Sequence, residues 1–122
     1  MSNIKTYNYD GLLIGQQFID FFYKNWITNP DILHEVIQSY SKLKYNNNNY
    51  EGDNIILLLK LLANNITFNN IKYEILDSKS RQIYILVSGL LNNIVFTQSF
   101  VISFTNNNNL KKWVIINSLL IF

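Results

Sequence analysis

Two runs decide how this chain is read. Arg81-Gln82-Ile83-Tyr84-Ile85-Leu86-Val87-Ser88-Gly89-Leu90-Leu91 is closed by Asn92-Asn93, and Ile94-Val95-Phe96-Thr97-Gln98-Ser99-Phe100-Val101-Ile102-Ser103-Phe104-Thr105 follows. β-Branched and aromatic residues fill both, and the breakers fall at the turns, which is the hairpin signature. After Asn106 to Asn109 a third run, Leu110 through Phe122, has the same character and completes a meander. Side chains alternate between the faces of a strand. Phe96, Phe100, Ile102 and Phe104 therefore share one face with Gln98, while Val95, Thr97, Ser99, Val101 and Ser103 take the other. An aromatic sheet face needs a cover, and the first half of the chain supplies it.

Ser2 to Asp10 reads as a lead-in. From Leu12, the spacing of Ile14, Phe18, Phe21 or Phe22 and Trp26 predicts an amphipathic helix, with Asp10 as N-cap and an end before Pro30. Asn29-Pro30 predicts a second, shorter helix carrying Ile32, Leu33, Val36 and Ile37. Ser41 to Tyr45 reads as a short strand, Tyr50-Glu51-Gly52 as a turn, and Asp53 as the cap of a third helix running to about Asn64. That helix is apolar nearly all round, which predicts burial on most sides. Ile66 to Asp77 alternates as a strand with one wet face, and Ser78-Lys79-Ser80 turns into the meander. Three helices, a short strand pair and four long antiparallel strands make an α+β domain spanning residues 1–122. Phe18, Phe22, Trp26 and the ridge from Leu57 to Leu62 are the expected core.

A chain of 122 residues suits one hydrophobic core. Without cysteine it offers neither disulfide nor thiolate chemistry, and its single histidine, His34, cannot assemble a typical zinc site. The opening Met1 to Asp10 is polar and unlike a signal peptide, and no apolar run approaches the roughly 20 residues of a membrane helix. The expectation is a soluble chain without membrane contact. All 8 acidic groups lie before Ser78, and the remainder carries only Lys79, Arg81, Lys111 and Lys112. Those four cations are too scattered for the basic stripe of a nucleic-acid binder. The sheet's second face is more telling. Three helices cannot cover Val87, Leu91, Val95, Val101, Leu119 and Ile121, and an exposed apolar sheet face marks a partner surface. A dimer is expected, homo- or heterodimeric, through Val87, Val95, Val101, Leu119 and Ile121.

Several spellings, in order, resemble the nuclear transport factor 2 family. Ile14-Gly15-Gln16-Gln17-Phe18 with Phe22-Tyr23 is similar to its first helix, and Ser41-x-Leu43-x-Tyr45 to its S-x-L-x-W segment. Tyr50-x-Gly52-x-x-Ile55 resembles the turn opening its third helix, Phe96-x-Gln98-x-Phe100 its F-x-Q-x-F strand, and Trp113-Val114-x-x-Asn117 its last strand. The resemblance implies a cone of three N-terminal helices on a strongly bent antiparallel sheet that dimerises through its flat face. It also implies a carrier without catalytic residues, cofactor or metal, shuttling between cytoplasm and nucleus at the nuclear pore. Its partners would be Phe-Gly nucleoporins and either Ran-GDP or, as in the mRNA-export cofactor branch, an export receptor.

The chain departs from the carrier at named positions. The family's Trp-Glu pair reads Tyr45-Asn46, its acidic hairpin loop has shrunk to Asn92-Asn93, and its N-D-x-F-R ending becomes Asn117-Ser118-Leu119-Leu120-Ile121. Tyr45, Asn46, Asn92 and Asn93 are thus the expected partner-binding pocket, and Tyr9 the expected repeat contact in place of the carrier's tryptophan. The same fold hosts cavity enzymes and small-molecule binders, such as isomerases and dehydratases. Asp77 or Asp20 would there have to act as base, and both read as exposed carboxylates. His34 reads as a surface histidine.

Overall fold

The computed structural model describes residues 11–77, 81–107 and 110–122. Its elements run α1 (Gly11–Thr28), a 3-10 helix (Pro30–Glu35), β1 (Lys42–Tyr45), β2 (Asn48–Glu51), α2 (Asp53–Leu62), β3 (Phe68–Asp77), β4 (Gln82–Leu91), β5 (Ile94–Asn107) and β6 (Leu110–Ile121). The strands form one six-stranded sheet in the order β2-β1-β6-β5-β4-β3. The meander and the strand before it pair antiparallel as the sequence predicts. β1 instead joins β6 in parallel, so the sheet is mixed rather than antiparallel throughout. The long excursion through β2, α2 and β3 makes that possible, since parallel neighbours need a crossover.

The turns explain the asparagines. Asn46-Asn47 and Asn92-Asn93 all have φ between 51° and 67°, the left-handed pair that a two-residue hairpin requires and asparagine tolerates. Asn70, at φ 55°, sits where the β3–β4 register slips between Asn69 and Lys72. A second slip between Val101 and Ile102 puts an extra residue on β6, and bulges of this kind bend and twist a sheet.

Three local expectations need correction. The second helix is a six-residue 3-10 segment, and Asn29 makes no side-chain cap. So short a segment cannot offset helix nucleation, and it is held by tertiary bonds instead: the Val36 carbonyl accepts from the Ile115 amide at 2.8 Å. Among the described residues the α-helices are thus two, α1 and α2. The turn before α2 is Gly52 alone, since Tyr50 and Glu51 belong to β2, and Gly52 rather than Asp53 holds the N-cap position. Its φ of 59° and a would-be Cβ 3.1 Å from the Ser39 carbonyl exclude a side chain there. Finally, Leu57 and Leu61 are exposed, so α2 buries one face, through Ile55, Ile56, Leu58 and Leu59. Asp10, Ser78 to Ser80, Asn108 and Asn109 lie outside the described residues.

The core lies between α1 and the inner sheet face. Phe100 meets Phe18, Phe22 and Tyr23 edge-on at centroid distances of 5.1, 5.0 and 6.3 Å, the geometry aromatic quadrupoles favour. Trp26 packs on Phe22 and Phe68, and its indole N–H donates to the Leu59 carbonyl at 2.8 Å, clamping α1 to α2. Phe100→Ala should cost about 3–5 kcal/mol, the usual loss for emptying a buried phenylalanine site, read by chemical denaturation.

Candidate functional site

The F-x-Q-x-F spelling now has a physical account. Gln98 projects inward among the rings and is fully buried, so both ends of its amide need partners. The Tyr23 hydroxyl donates to Gln98 Oε1 at 2.6 Å. Gln98 Nε2 donates to Ser118 Oγ at 3.0 Å, and Ser118 Oγ donates to the Ser99 carbonyl at 2.8 Å. This chain ties α1, β5 and β6 together. Strand alternation put Gln98 on this aromatic face but gave no sign of Tyr23 and Ser118, which only tertiary folding brings there. Ser41 has a like role: its hydroxyl donates to the Ile115 carbonyl at 2.5 Å and accepts from the Gln38 amide at 2.9 Å. No buried side-chain nitrogen or oxygen among the described residues lacks a partner.

The interior therefore offers little acid–base chemistry. Among the described residues no Asp, Glu, His, Lys or Arg is buried. Tyr23 is the titratable group inside, and burial pushes its phenol well above the ordinary tyrosine range. His34 lies on the surface, with Nε2 3.2 Å from an Asp53 oxygen and Nδ1 2.9 Å from the Asp31 carbonyl oxygen. A hydrogen bond from Lys60, 2.6 Å away, holds the Asp31 carboxyl below its usual range. Asp20 is exposed, and the Asp77 side chain lies outside the described residues. No group of three or more possible metal ligands occurs among the described residues.

Tyr45, half-buried, stacks on Phe122 at 5.3 Å. Asn46 lines a cavity of about 380 Å³ with Lys44, Asn47 and residues 119–122. Asn92 and Asn93 do not line that cavity. The Asn92 amide instead accepts from the Thr67 backbone and donates to the Asn65 carbonyl, both at 2.9 Å, stapling its turn to the start of β3. Tyr9 lies outside the described residues. A separate apolar cleft of about 330 Å³ runs between α1 and β6, lined by Ile14, Phe18, Phe21, Val36 and Trp113 with Glu35 and Lys112 at its rim.

The outer sheet face carries exposed apolar side chains. Val95 and Ile121 are 69% and 55% exposed, Leu119 is exposed and Val101 half-buried, as expected of that surface. Val87 is the exception, at 0% exposure. It pairs with inward-facing Gln98 and so shares the core face, and Leu91 is buried likewise. The error was one of parity: in β4 the odd residues face in. The outward residues Tyr84 and Leu86, with Leu76 of β3 beside them, take that place.

No family model matches the sequence, and no curated protein does. Solved structures do. Yeast Bre5, described as Ubp3-associated, superposes with a TM-score of 0.67 at 19% identity, covering 89% of this chain and 93% of Bre5. Nuclear transport factor 2 from Cryptosporidium parvum gives 0.56 at 19% identity, over 90% and 92% of the two chains. A ketosteroid isomerase candidate from Shewanella frigidimarina gives 0.69 at 9% identity, over 84% and 90%. At these identities the likeness shows the fold: an α+β, NTF2-like arrangement of helices on a curved six-stranded sheet.

The buried tyrosine yields a prediction. Its folded pKa lies above the unfolded value of about 10, so the folded chain retains a proton that the unfolded chain loses. The stability from Tyr23 is complete below pH of about 10 and falls as pH rises toward the folded pKa. Tyr23→Phe should flatten this alkaline loss. At neutral pH it should cost about 1–3 kcal/mol, because Gln98 Oε1 is left unpaired. Urea unfolding at neutral and alkaline pH reads both.

Proposed function

We propose that this chain is a non-enzymatic protein-binding module of nucleocytoplasmic transport, working as a dimer at the nuclear pore between cytoplasm and nucleus. The observation that carries the protein-binding part is a division of labour in the sheet. Its inner face is filled with aromatic rings and a satisfied amide chain, leaving no buried carboxylate or imidazole among the described residues. Its outer face leaves large apolar side chains in water, which is the mark of a protein partner. The similarity to a nuclear transport factor 2 and to Bre5, itself described as associated with Ubp3, supports a protein-partner role.

In this reading the α1–β6 cleft has the chemistry for a phenylalanine of a Phe-Gly repeat, since Phe18, Phe21 and Trp113 offer ring faces and edges. The Tyr45–Asn46 end of the sheet is the cargo side. Without acidic residues at Asn92-Asn93, it favours an export receptor or a rewired Ran-GDP contact over the family's carboxylate grip. The similarity to an isomerase candidate keeps a second reading, a cavity enzyme or small-molecule binder.

Capture of the purified chain on immobilised Ran-GDP, nucleoporin repeats and export receptor tests the proposal. Binding to at least one bait is expected, with repeat binding weakened at least tenfold by Phe21→Ala in the cleft. Failure to bind any bait, together with a small molecule co-purifying in the cone, would replace transport with the enzyme reading.

A further inference from the structure

β3 closes the sheet on one side, and the hairpin next to it fixes which of its backbone groups are free. The two-residue turn at Asn92-Asn93 makes Leu91 and Ile94 a hydrogen-bonded pair, and bonded pairs recur at every second residue. Leu91, Gly89, Val87 and Ile85 therefore bond to β5, while Ser88, Leu86 and Tyr84 bond to β3. Their partners there are Lys72, Glu74 and Leu76. Tyr73 and Ile75, which alternate with them, aim both N–H and C=O away from the sheet. No hydrogen bond among the described residues meets those groups. The bulge at Asn70 blunts the start of this edge, but the register from Lys72 to Asp77 runs without a shift. No described side chain of β3 is buried.

We propose that this edge takes an extended segment of a partner protein as an added strand, antiparallel to β3. Antiparallel pairing is the more stable per residue, and the added side chains alternate in step with those of β3. Tyr73 pairs with inward-facing Val87, so residues set opposite Tyr73 and Ile75 fall on the inner side of the sheet. Tyr73 is 39% exposed and Ile75 half-buried, and an apolar residue opposite each covers it. Lys72 and Glu74 face outward. Their neighbours on β4 are Ser88 and Leu86, and neither charge forms an ion pair among the described residues. A carboxylate opposite Lys72 and a cation opposite Glu74 complete both. From N- to C-terminus the segment therefore reads apolar, basic, apolar, acidic. The chain's own Ile71-Lys72-Tyr73-Glu74-Ile75 has that spelling, which makes a second copy the competing occupant. Gly15 packs on Ile75 and Tyr23 on Phe68, so α1 lies along the inner side of β3. Two copies joined here bring both helical layers to one seam, whereas a lone segment brings none. The edge is separate from the outer face and from the α1–β6 cleft, so its failure as a site leaves the proposed function standing.

Titration of the full chain with the blocked peptide acetyl-Ser-Gly-Val-Lys-Phe-Glu-Val-Gly-Ser-amide tests the proposal, its Phe set opposite Tyr73. Binding is expected. N-Methylation of that Phe removes the donor to the Tyr73 carbonyl and should weaken binding roughly tenfold, whereas N-methylation of the preceding Lys, whose N–H points away from β3, should change it less than about twofold. The peptide with Lys and Glu exchanged should bind wild type roughly tenfold more weakly and should be preferred by Lys72→Glu/Glu74→Lys. Tyr73→Pro removes an N–H that no sheet partner uses and should abolish binding with the far-ultraviolet spectrum unchanged. The methylated peptides need no altered protein, so they decide even where that variant misfolds. No binding of the parent peptide, equal binding after methylation of its Phe, or equal binding of the exchanged peptide to wild type overturns the proposal. Self-association of the wild-type chain that Tyr73→Pro abolishes gives the edge to a second copy and overturns it too.

Discussion

The amide of Gln98 is the constraint on which the inner structure depends. It is fully buried among Phe96, Phe100 and Tyr23, where an unpaired amide would cost about 1–3 kcal/mol at each end. Its two partners come from different parts of the chain, Tyr23 from α1 and Ser118 from β6. Satisfying one side chain therefore fixes how the first helix lies on the sheet and how the last strand registers with β5. The aromatic cluster supplies most of the burial free energy, but rings can repack. The hydrogen-bonded chain selects one packing among several greasy ones.

The same alternation that sends Gln98 and its neighbours inward sends Thr97, Ser99, Val101 and Ser103 outward. Small residues along β5 leave a shallow valley, and Tyr84 and Leu86 on one side and Leu119 and Ile121 on the other rise as ridges. Inner filling and outer exposure are thus two consequences of one strand pattern. The proposed protein-binding role draws on both, on the filled inner face and on the apolar outer one.

Much of this was legible in the chain. Alternation in Ile94 to Thr105 marked the two faces and put Gln98 among the rings, and Asn92-Asn93 marked the hairpin between β4 and β5. What was not legible depended on register or on distance in sequence. Val87 was assigned outward because nothing local in β4 fixes which parity faces the core; only its pairing with Gln98 does. The parallel union of β1 with β6 joins residues more than 70 apart, as Lys42 with Asn117, and short strands carry no signal of their neighbour. The 3-10 segment was mistaken for a helix because its apolar spacing is helical over too few residues to matter. The bonds of the Asn92 amide to Thr67 and Asn65 likewise span more than 20 residues and have no local signal.

The central claim is that the outer sheet face, with its large exposed apolar side chains, is the surface that meets a protein partner. Because the chain has no cysteine, Ser99→Cys introduces one unique thiol in the middle of that face, and Lys60→Cys one on α2 away from it. The account predicts that thiol modification of Ser99→Cys slows at least tenfold when a captured bait binds, while Lys60→Cys reacts as in the free chain. Equal rates for the free and bound chain at both positions would contradict it.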